Sequence, residues 1–256
     1  MGLVRSGLAR AIALLSIGLL TAGCTAAVDG NARPAANLKS RAITGQTIKK
    51  VLLGDGALSE ILNQSFEFDP RFPSRFGGPE TLQDSGSVLR VDCLGVAMML
   101  QKIDYQSTNV KQVAMAAWRR TAKSMQVTSV KEGVVSLASA DDADALFAKF
   151  SQQWQKCDGA TLLLPDGMVK LKGKVTNVKV ASSVLAATAS VGWAFSGSGS
   201  EAIPEGRAVG VRANCLVEVE VDFFNASDPA PQASGTFNTK AVDIAQAMMD
   251  EVSALI

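Results

Sequence analysis

Residues 209–223 constrain the fold more than any other segment of this chain. The odd positions carry Val, Val, Ala, Cys, Val, Val, Val and Phe, whereas Arg212, Glu218, Glu220 and Asp222 occupy even positions. Side chains alternate between the two faces of a strand, so this pattern predicts one long strand with an apolar face and a solvated face. Half-buried strands of this kind are typical of antiparallel sheets.

Helices are predicted on both sides of this strand in the sequence. Residues 45–64 predict two short helices that are broken at Gly54-Asp55-Gly56, and Asp92 is placed to cap a helix that begins near Cys93. Ser139 opens a longer helix. Its apolar face, at helical spacing, consists of Ala143, Leu146, Phe147, Phe150, Trp154 and Cys157. The terminal helix shows the same spacing at Ala241, Ile244, Ala245, Met248, Val252 and Leu255.

Further strands are predicted at residues 110–119, within 127–139 as a strand or a hairpin, at 169–175 and at 182–195. Residues 66–87 are rich in Pro, Gly, Asp and Arg and predict a long loop. Helices thus come first, a strand-rich half follows, and a helix closes the chain. This order favours a single-domain α+β fold with a mostly antiparallel sheet flanked by helices.

The N-terminus carries the pattern of a bacterial export signal. Arg5 and Arg10 form a positively charged region that precedes residues 11–22. Residues 11–22 are nearly all apolar, and this run is too short to span a bilayer but fits a signal-peptide core. The run leads into Leu-Thr-Ala-Gly-Cys24, which resembles the lipobox, a motif whose cysteine is acylated and becomes the mature N-terminus. The alternative is an ordinary secretory peptide with an incidental cysteine.

We therefore expect a lipoprotein signal peptide at residues 1–23, a lipidated tether at 24–44 and a folded domain at 45–256. The tether is small, polar and proline-containing, as flexible linkers are. Acyl chains on Cys24 would hold the protein on the extracytoplasmic face of the cell membrane, since each buried methylene contributes about 0.8 kcal/mol.

The chain contains no histidine, which restricts the chemistry open to it. Ser–His and Cys–His nucleophilic machinery is excluded, as is the commonest zinc ligand. An enzyme would have to use carboxylates, lysine, serine or threonine, and we expect instead a non-catalytic protein without a cofactor or metal. The formal net charge of +1 gives no basic field for nucleic acid.

Three cysteines remain for the folded domain after Cys24 is assigned to lipid. Disulfides persist outside the cytoplasm, and Cys93 and Cys157 lie near the ends of two predicted helices that could converge. We predict a disulfide between them, which closes a loop of about 65 residues and stabilises by on the order of 4 kcal/mol in the chain-entropy model. Cys215 is interpreted as a small buried apolar residue. A redox role would require a C-x-x-C pair, and the sequence has none.

Two charged segments have competing interpretations. Lys170, Lys172 and Lys174 alternate along a strand and form either a contact for an anionic ligand or lipid headgroups, or a solvated strand face. The acids of residues 218–222 could lie opposite these lysines and form cross-strand ion pairs. The aromatic and arginine residues of 66–76 form either a recognition loop or a cover for the core.

Four short motifs occur together in a characteristic order. They are Asp-Cys93-Leu-Gly, Trp154-Gln-Lys-Cys157, Arg207-Ala208 followed by Asn214, and the terminal AVDIAQAMMDEV helix. This order resembles the extracellular sensor domain of the PknH-type serine/threonine kinases of mycobacteria, a domain that also occurs alone in many mycobacterial lipoproteins. The resemblance covers residues 45–256.

The resemblance implies a strongly twisted antiparallel sheet flanked by helices, with a cleft for an unidentified ligand and no catalytic residues. Family members usually have a second disulfide, with one cysteine just before the Arg-Ala pair. This chain has Pro204-Glu-Gly-Arg207 there, and Cys215 lies within the predicted strand instead. The second disulfide is therefore not expected.

The sequence thus predicts a lipid-anchored, ligand-binding or sensor-like module of the cell envelope. Its expected partners are the membrane, through Cys24, and an unknown small-molecule or envelope ligand, but not nucleic acid. The alternative is a carrier or chaperone for lipids or another envelope component. A carrier requires a deep apolar cavity, whereas a sensor-like module requires only a shallow cleft of mixed polarity.

Overall fold

The described part of the chain begins at residue 42, near the end of the predicted tether. The computed structural model describes residues 42–84, 91–123, 126–166, 169–193, 202–224 and 235–256, which all belong to one unit, residues 39–256. The predicted signal peptide, Cys24 and all but the end of the tether lie outside the described residues. Among the helices that are described, none is long and apolar enough to cross a membrane.

One antiparallel sheet dominates the described residues. Its nine strands are β1 (Phe66–Phe68), β2 (Arg75–Gly77), β3 (Val110–Arg120), β4 (Val127–Leu137), β5 (Thr161–Asp166), β6 (Val169–Val180), β7 (Val184–Trp193), β8 (Ile203–Arg212) and β9 (Cys215–Phe223). Their order across the sheet is β1-β3-β4-β9-β8-β7-β6-β5, and β2 also pairs with β3. The predicted α+β fold with a mostly antiparallel sheet is confirmed.

Helices cover both faces of this sheet. They are α1 (Asp55–Leu62), α2 (Leu94–Ala97), α3 (Lys102–Tyr105), α4 (Ala140–Cys157) and α5 (Gly235–Ala254), with 3-10 turns at Gly45–Val51, Pro79–Thr81 and Val91–Cys93. One buried cluster joins α2, α3 and α4 to the sheet, and a second joins α1 and α5 to it. We name these two sides the α4 face and the α5 face.

Helix α4 forms where the sequence predicts it. The Ser139 hydroxyl accepts a hydrogen bond from the backbone N–H of Asp142, which satisfies one of the free donors of the first turn. All six predicted apolar positions, from Ala143 to Cys157, are buried. The structure joins Cys157 to Cys93 by a disulfide. Asp92 lies within a 3-10 turn and Cys93 occupies the N-cap of α2, so the predicted capping role of Asp92 is wrong.

Residues 209–223, predicted as one long strand, instead belong to a hairpin of two strands. Strands β8 and β9 are joined by Ala213 and Asn214, and Ala213 has a left-handed φ of 49°. Because Arg212 pairs with Cys215 across the turn, odd positions before it share a face with even positions after it. The alternation of apolar and polar residues in the sequence continues through such a two-residue turn although the faces are exchanged. The sequence pattern therefore predicted a single strand.

The predicted solvated face of that segment is also wrong. Helices cover both sides of the hairpin, and Glu218 and Glu220 are only 3% and 5% exposed. The expected ion pairs with the lysines of β6 do not form, because β7 and β8 lie between β6 and β9. Lys172 and Lys174 are exposed on β6. Residues 66–87, predicted as a loop, contain β1, β2 and a 3-10 turn.

The start of the described chain is attached to the β8–β9 turn. The Ile43 N–H donates to Asn214 Oδ1 over 2.8 Å, and Asn214 Nδ2 donates to the carbonyls of Ile43 and Leu137 over 3.0 Å each. Asn214 is 1% exposed, so these bonds satisfy polar groups that water cannot reach. The chain therefore enters the domain at the turn end of the sheet.

Candidate functional site

Charged side chains gather at the centre of the sheet on the α4 face. Cross-strand register places Lys131, Glu220 and Arg207 in one row, and Ser129, Asp222 and Glu205 in the next. Glu218 lies in a third row, opposite Gly133 and Val209. We name this group the central charged cluster; its members are Lys131, Glu205, Arg207, Glu218, Glu220 and Asp222.

Arg207 is fully buried and organises one half of this cluster. Its Nη2 lies 3.0 Å from Glu218 Oε2 and its Nη1 lies 3.8 Å from Glu220 Oε2. The guanidinium also donates to the carbonyls of Gly95 (3.2 Å), Val96 (3.2 Å) and Val219 (2.9 Å). Arg207 thereby fastens α2 to the sheet.

Glu218 extends the same network to α3. Its Oε1 accepts hydrogen bonds from the Tyr105 hydroxyl at 2.6 Å and from the Leu100 N–H at 3.1 Å. Burial raises the pKa of Tyr105 well above its ordinary value, and the nearby Glu218 charge adds to that rise. Tyr105 therefore stays protonated and acts as a donor. The Arg207–Glu218 ion pair and its neighbours thus add to the apolar packing that holds residues 94–105 on the α4 face.

The other half of the cluster holds more acids than bases. Lys131 pairs with Glu220, and the Phe72 ring lies 5.0 Å from the Lys131 ammonium. Burial works to raise the pKa of Glu220, but Lys131 and Arg207 outweigh it and leave that pKa below its ordinary value.

Glu205 and Asp222 face each other across β8 and β9, and here burial outweighs the opposing effect of Lys131 and Arg207. Burial, followed by the charges of Glu220 and Asp222, raises the pKa of Glu205 well above its ordinary value. Burial also raises the pKa of Asp222. Directly opposed like charges are destabilising, so a proton on this pair stabilises the fold.

The three carboxylates of Glu205, Glu220 and Asp222 bring oxygens within 4.8 Å of one another. Hard cations bind such oxygen sets. Here, however, the Lys131 ammonium and the Arg207 guanidinium already neutralise Glu220. The geometry supports a structural network better than a metal centre.

A separate pocket opens between α4 and residues 92–104. Its volume is about 400 Å³, and its lining mixes charged, amide and apolar groups: Asp92, Ile103, Asp104, Lys149, Gln152, Gln153, Lys156 and Cys157. We name it the Lys149 pocket. The Cys93–Cys157 disulfide borders it, because Cys157 is one of its lining residues.

Asp104 is the buried acid of the Lys149 pocket, with 6% exposure. Its Oδ1 accepts a hydrogen bond from Gln153 Nε2 at 3.0 Å, and its Oδ2 has no hydrogen-bond partner among the described residues. Burial raises the pKa of Asp104 to about 6 against the opposing effect of Gln153, and Glu218 adds to the rise. A Cβ atom at Gly95 would lie 2.1 Å from Asp104 Oδ2, so only glycine fits there.

A second pocket of about 280 Å³ lies between β6, β7 and α5. Its lining is mostly apolar and consists of Lys179, Val180, Ala181, Val184, Ala186, Asn238, Thr239 and Val242. The central charged cluster lines neither pocket.

The α5 face contains one further buried acid, Glu132, which is fully buried. Its Oε1 accepts from the Leu53 N–H at 2.9 Å, and its Oε2 accepts from Trp118 Nε1 at 2.8 Å. Burial outweighs these two donors and raises the pKa of Glu132 to about 8. At neutral pH this side chain is protonated in the folded protein.

The structure places three of the four cysteines considered in the sequence analysis. Cys93 and Cys157 meet beside the Lys149 pocket, Cys215 is a free buried thiol on the α5 face, and Cys24 lies outside the described residues. Burial raises the pKa of Cys215 to about 12, so this thiol is unreactive. Sequence reasoning missed Asp104, which lies in a four-residue helix without periodicity.

The family model described as the PknH-like extracellular domain matches residues 43–251. The chain belongs to the PknH-like extracellular domain family. Its structure is similar to the crystal structure of the extracellular domain of PknH from Mycobacterium tuberculosis, with a TM-score of 0.66 and 18% identity over 84% of this chain and 98% of that chain. At this identity the likeness concerns the fold. Among curated proteins, no match was found. The resemblance seen in four short motifs is thus confirmed.

We expect Arg207→Met to lower the free energy of unfolding of this PknH-like domain by about 3–5 kcal/mol, because it leaves Glu218 charged and buried without its partner. The double variant Arg207→Met, Glu218→Met removes both charges and should recover a large part of that loss. Urea-induced unfolding measures both variants. A loss below 1 kcal/mol for the single variant, or an equal loss for the double variant, would contradict the proposed role.

We also expect stability to fall as pH rises from about 4.5 to about 8. Glu132 keeps its proton over this range when folded and loses it when unfolded, so the folded state binds more protons. Each unit of pKa difference corresponds to about 1.4 kcal/mol. Urea unfolding across this pH range should show a smaller fall for Glu132→Gln than for the wild type. The exposed Glu60→Gln serves as the control, and equal slopes for all three proteins would disprove the assignment.

Proposed function

We propose that this PknH-like domain is a lipid-anchored, non-catalytic ligand-binding or sensor-like module on the extracytoplasmic face of the cell membrane. The Lys149 pocket is the observation that carries this proposal. Its volume of about 400 Å³ falls within the range of small-molecule sites, and its lining supplies charged and amide groups for orientation beside an apolar Ile103.

The mixed lining favours a binding module over a lipid carrier. A carrier needs a deep apolar cavity, and the more apolar of the two described pockets holds only about 280 Å³. The residues that line the Lys149 pocket include Lys149, Lys156 and Asp92, which are exposed, so the pocket is shallow. This is the geometry expected of a site that samples soluble ligands.

The shifted pKa values of the carboxyl groups in the central charged cluster are weak evidence for catalysis. Shifted pKa values are common at active sites, but structural ion-pair networks shift them as well. Arg207, Tyr105 and Lys131 are committed to Glu218 and Glu220 by direct contacts. These contacts occupy Glu218 and Glu220, and the central charged cluster lines neither described pocket, which supports a non-catalytic role.

Native mass spectrometry of the protein purified from its own envelope tests the binding proposal. We expect a copurified small molecule that is lost from the Lys149→Met, Lys156→Met variant. The matched control Lys172→Met, Lys174→Met changes two exposed lysines of β6 and should retain it. A bound lipid that persists in both variants would instead favour the carrier.

Lipid anchoring is tested separately at Cys24. The lipobox-like sequence supports it, and acyl chains are expected to hold the wild-type protein in the membrane fraction. Intact-protein mass spectrometry should find acylation at Cys24, and Cys24→Ala should give unprocessed or released protein. Cys215→Ala is the matched control because it removes a buried thiol and leaves the lipobox-like sequence intact. Wild-type protein that is unacylated and released would refute the anchor.

A further inference from the structure

Among the residues that line the Lys149 pocket, the amide and ammonium donors all belong to α4. Gln153 Nε2 is already used, since it donates to the Asp92 carbonyl and to Asp104 Oδ1. Lys149 Nζ donates to Ser107 Oγ at 3.1 Å, which leaves two of its three N–H groups for other acceptors.

Lys156 and Gln152 line the same pocket from the same helix. An ammonium group brings three donors and a primary amide two. Lys149, Gln152 and Lys156 are spaced by three and four residues, so they project from one side of α4. Lys149 and Lys156 thus bring two ammonium groups to one side of the pocket, where they complement a ligand that is rich in acceptor oxygens.

Asp104 opposes such a ligand when it is ionised, because its carboxylate belongs to the wall of the same pocket. The charged and polar groups around it are Lys149 and Gln153 from α4, Glu218 from β9, Arg207 from β8, and Asp92 at the pocket wall, whereas α2 presents only Gly95. Glu218 and Arg207 are paired with each other, and Gln153 binds only Oδ1. The Oδ2 atom has no hydrogen-bond partner among the described residues, so a proton there neutralises the wall without breaking a bond.

We propose that the Lys149 pocket binds a small oxyanion, such as a carboxylate, phosphate or sulfate group, and that Asp104 takes up a proton from solvent when the anion binds. The inference rests on the proposed function and names the ligand class of its site. Burial holds the pKa of Asp104 at about 6 in the free protein, so the acid is ionised at pH 7.5 and protonated at pH 5. Because coupling is reciprocal, the anion raises the pKa of Asp104 and acid conditions strengthen anion binding.

Sulfate is a suitable probe because its charge is constant between pH 5 and pH 7.5. Isothermal titration calorimetry on the purified protein should give an affinity at least about fivefold higher at pH 5 than at pH 7.5. Asp104→Asn should bind sulfate equally at both pH values, about as tightly as the wild type does at pH 5. Carboxyl-carbon NMR of the wild type provides a reading that needs no variant, since sulfate should raise the apparent pKa of Asp104.

Lys149→Met, Lys156→Met should lose sulfate binding at both pH values, while Lys172→Met, Lys174→Met should keep it. Affinity that is independent of pH in the wild type, or still dependent on pH in Asp104→Asn, would overturn the proton link. Binding that is equal in both lysine variants would show an adventitious ion only and would overturn the anion site.

Failure of the oxyanion proposal can be distinguished from failure of the proposed ligand-binding function. A neutral copurified molecule that is lost from the Lys149→Met, Lys156→Met variant would refute the oxyanion while leaving the ligand pocket in place. Protein that carries no copurified molecule and binds no sulfate at either pH would count against both. Sulfate binding with the expected pH dependence, in protein that carries no neutral copurified molecule, supports the oxyanion site.

Discussion

The buried ion pair between Arg207 and Glu218 is the interaction on which the α4 face depends. A fully buried guanidinium is costly to desolvate, and only close partners offset that cost. Arg207 obtains them from Glu218, from Glu220 and from three backbone carbonyls of α2 and β9. Segment 94–105 is thereby fixed on the sheet, and this segment carries Asp104 into the wall of the Lys149 pocket. The same short segment therefore contacts the buried charged network and supplies part of the pocket wall.

The sheet can hold four acids and two bases at its centre because the two bases, and a proton on the Glu205 and Asp222 pair, offset the repulsion between the acids. Small side chains flank the row of Lys131, Glu220 and Arg207: Ala117 pairs with Lys131, and Ala187 pairs with Arg207. Gly133 leaves room for Met99 and Leu100, whose side chains would clash with a Cβ there. The composition of the neighbouring strands therefore matters as much as the charges themselves.

The sequence predicted the structure best where the spacing of apolar residues matches the residues that are buried. The spacing of apolar residues from Ala143 to Cys157 defined both the length and the buried side of α4, because a helix on a core has one buried face. The alternation across residues 209–223 failed for a physical reason. A two-residue turn exchanges the faces without interrupting the alternation, and the acidic positions do not reveal that Arg207 lies beside them. Register is a property of the paired strands and cannot be read from either strand alone. The same applies to Asp104, whose environment comes from α4, β8 and β9.

The hydrogen bonds between Ile43 and Asn214 fix the end of the sheet at which the chain enters the domain. Helix α4 begins just after β4 ends at this same turn end, and its 18 residues extend about 27 Å along the helix axis. Lys149, Lys156 and the disulfide lie in its second half, away from the place where the chain enters. A domain held by its N-terminal side is therefore suspended from the β8–β9 turn, with the pocket displaced toward the opposite end. Tension on the leading chain would act first on the hydrogen bonds between Ile43 and Asn214.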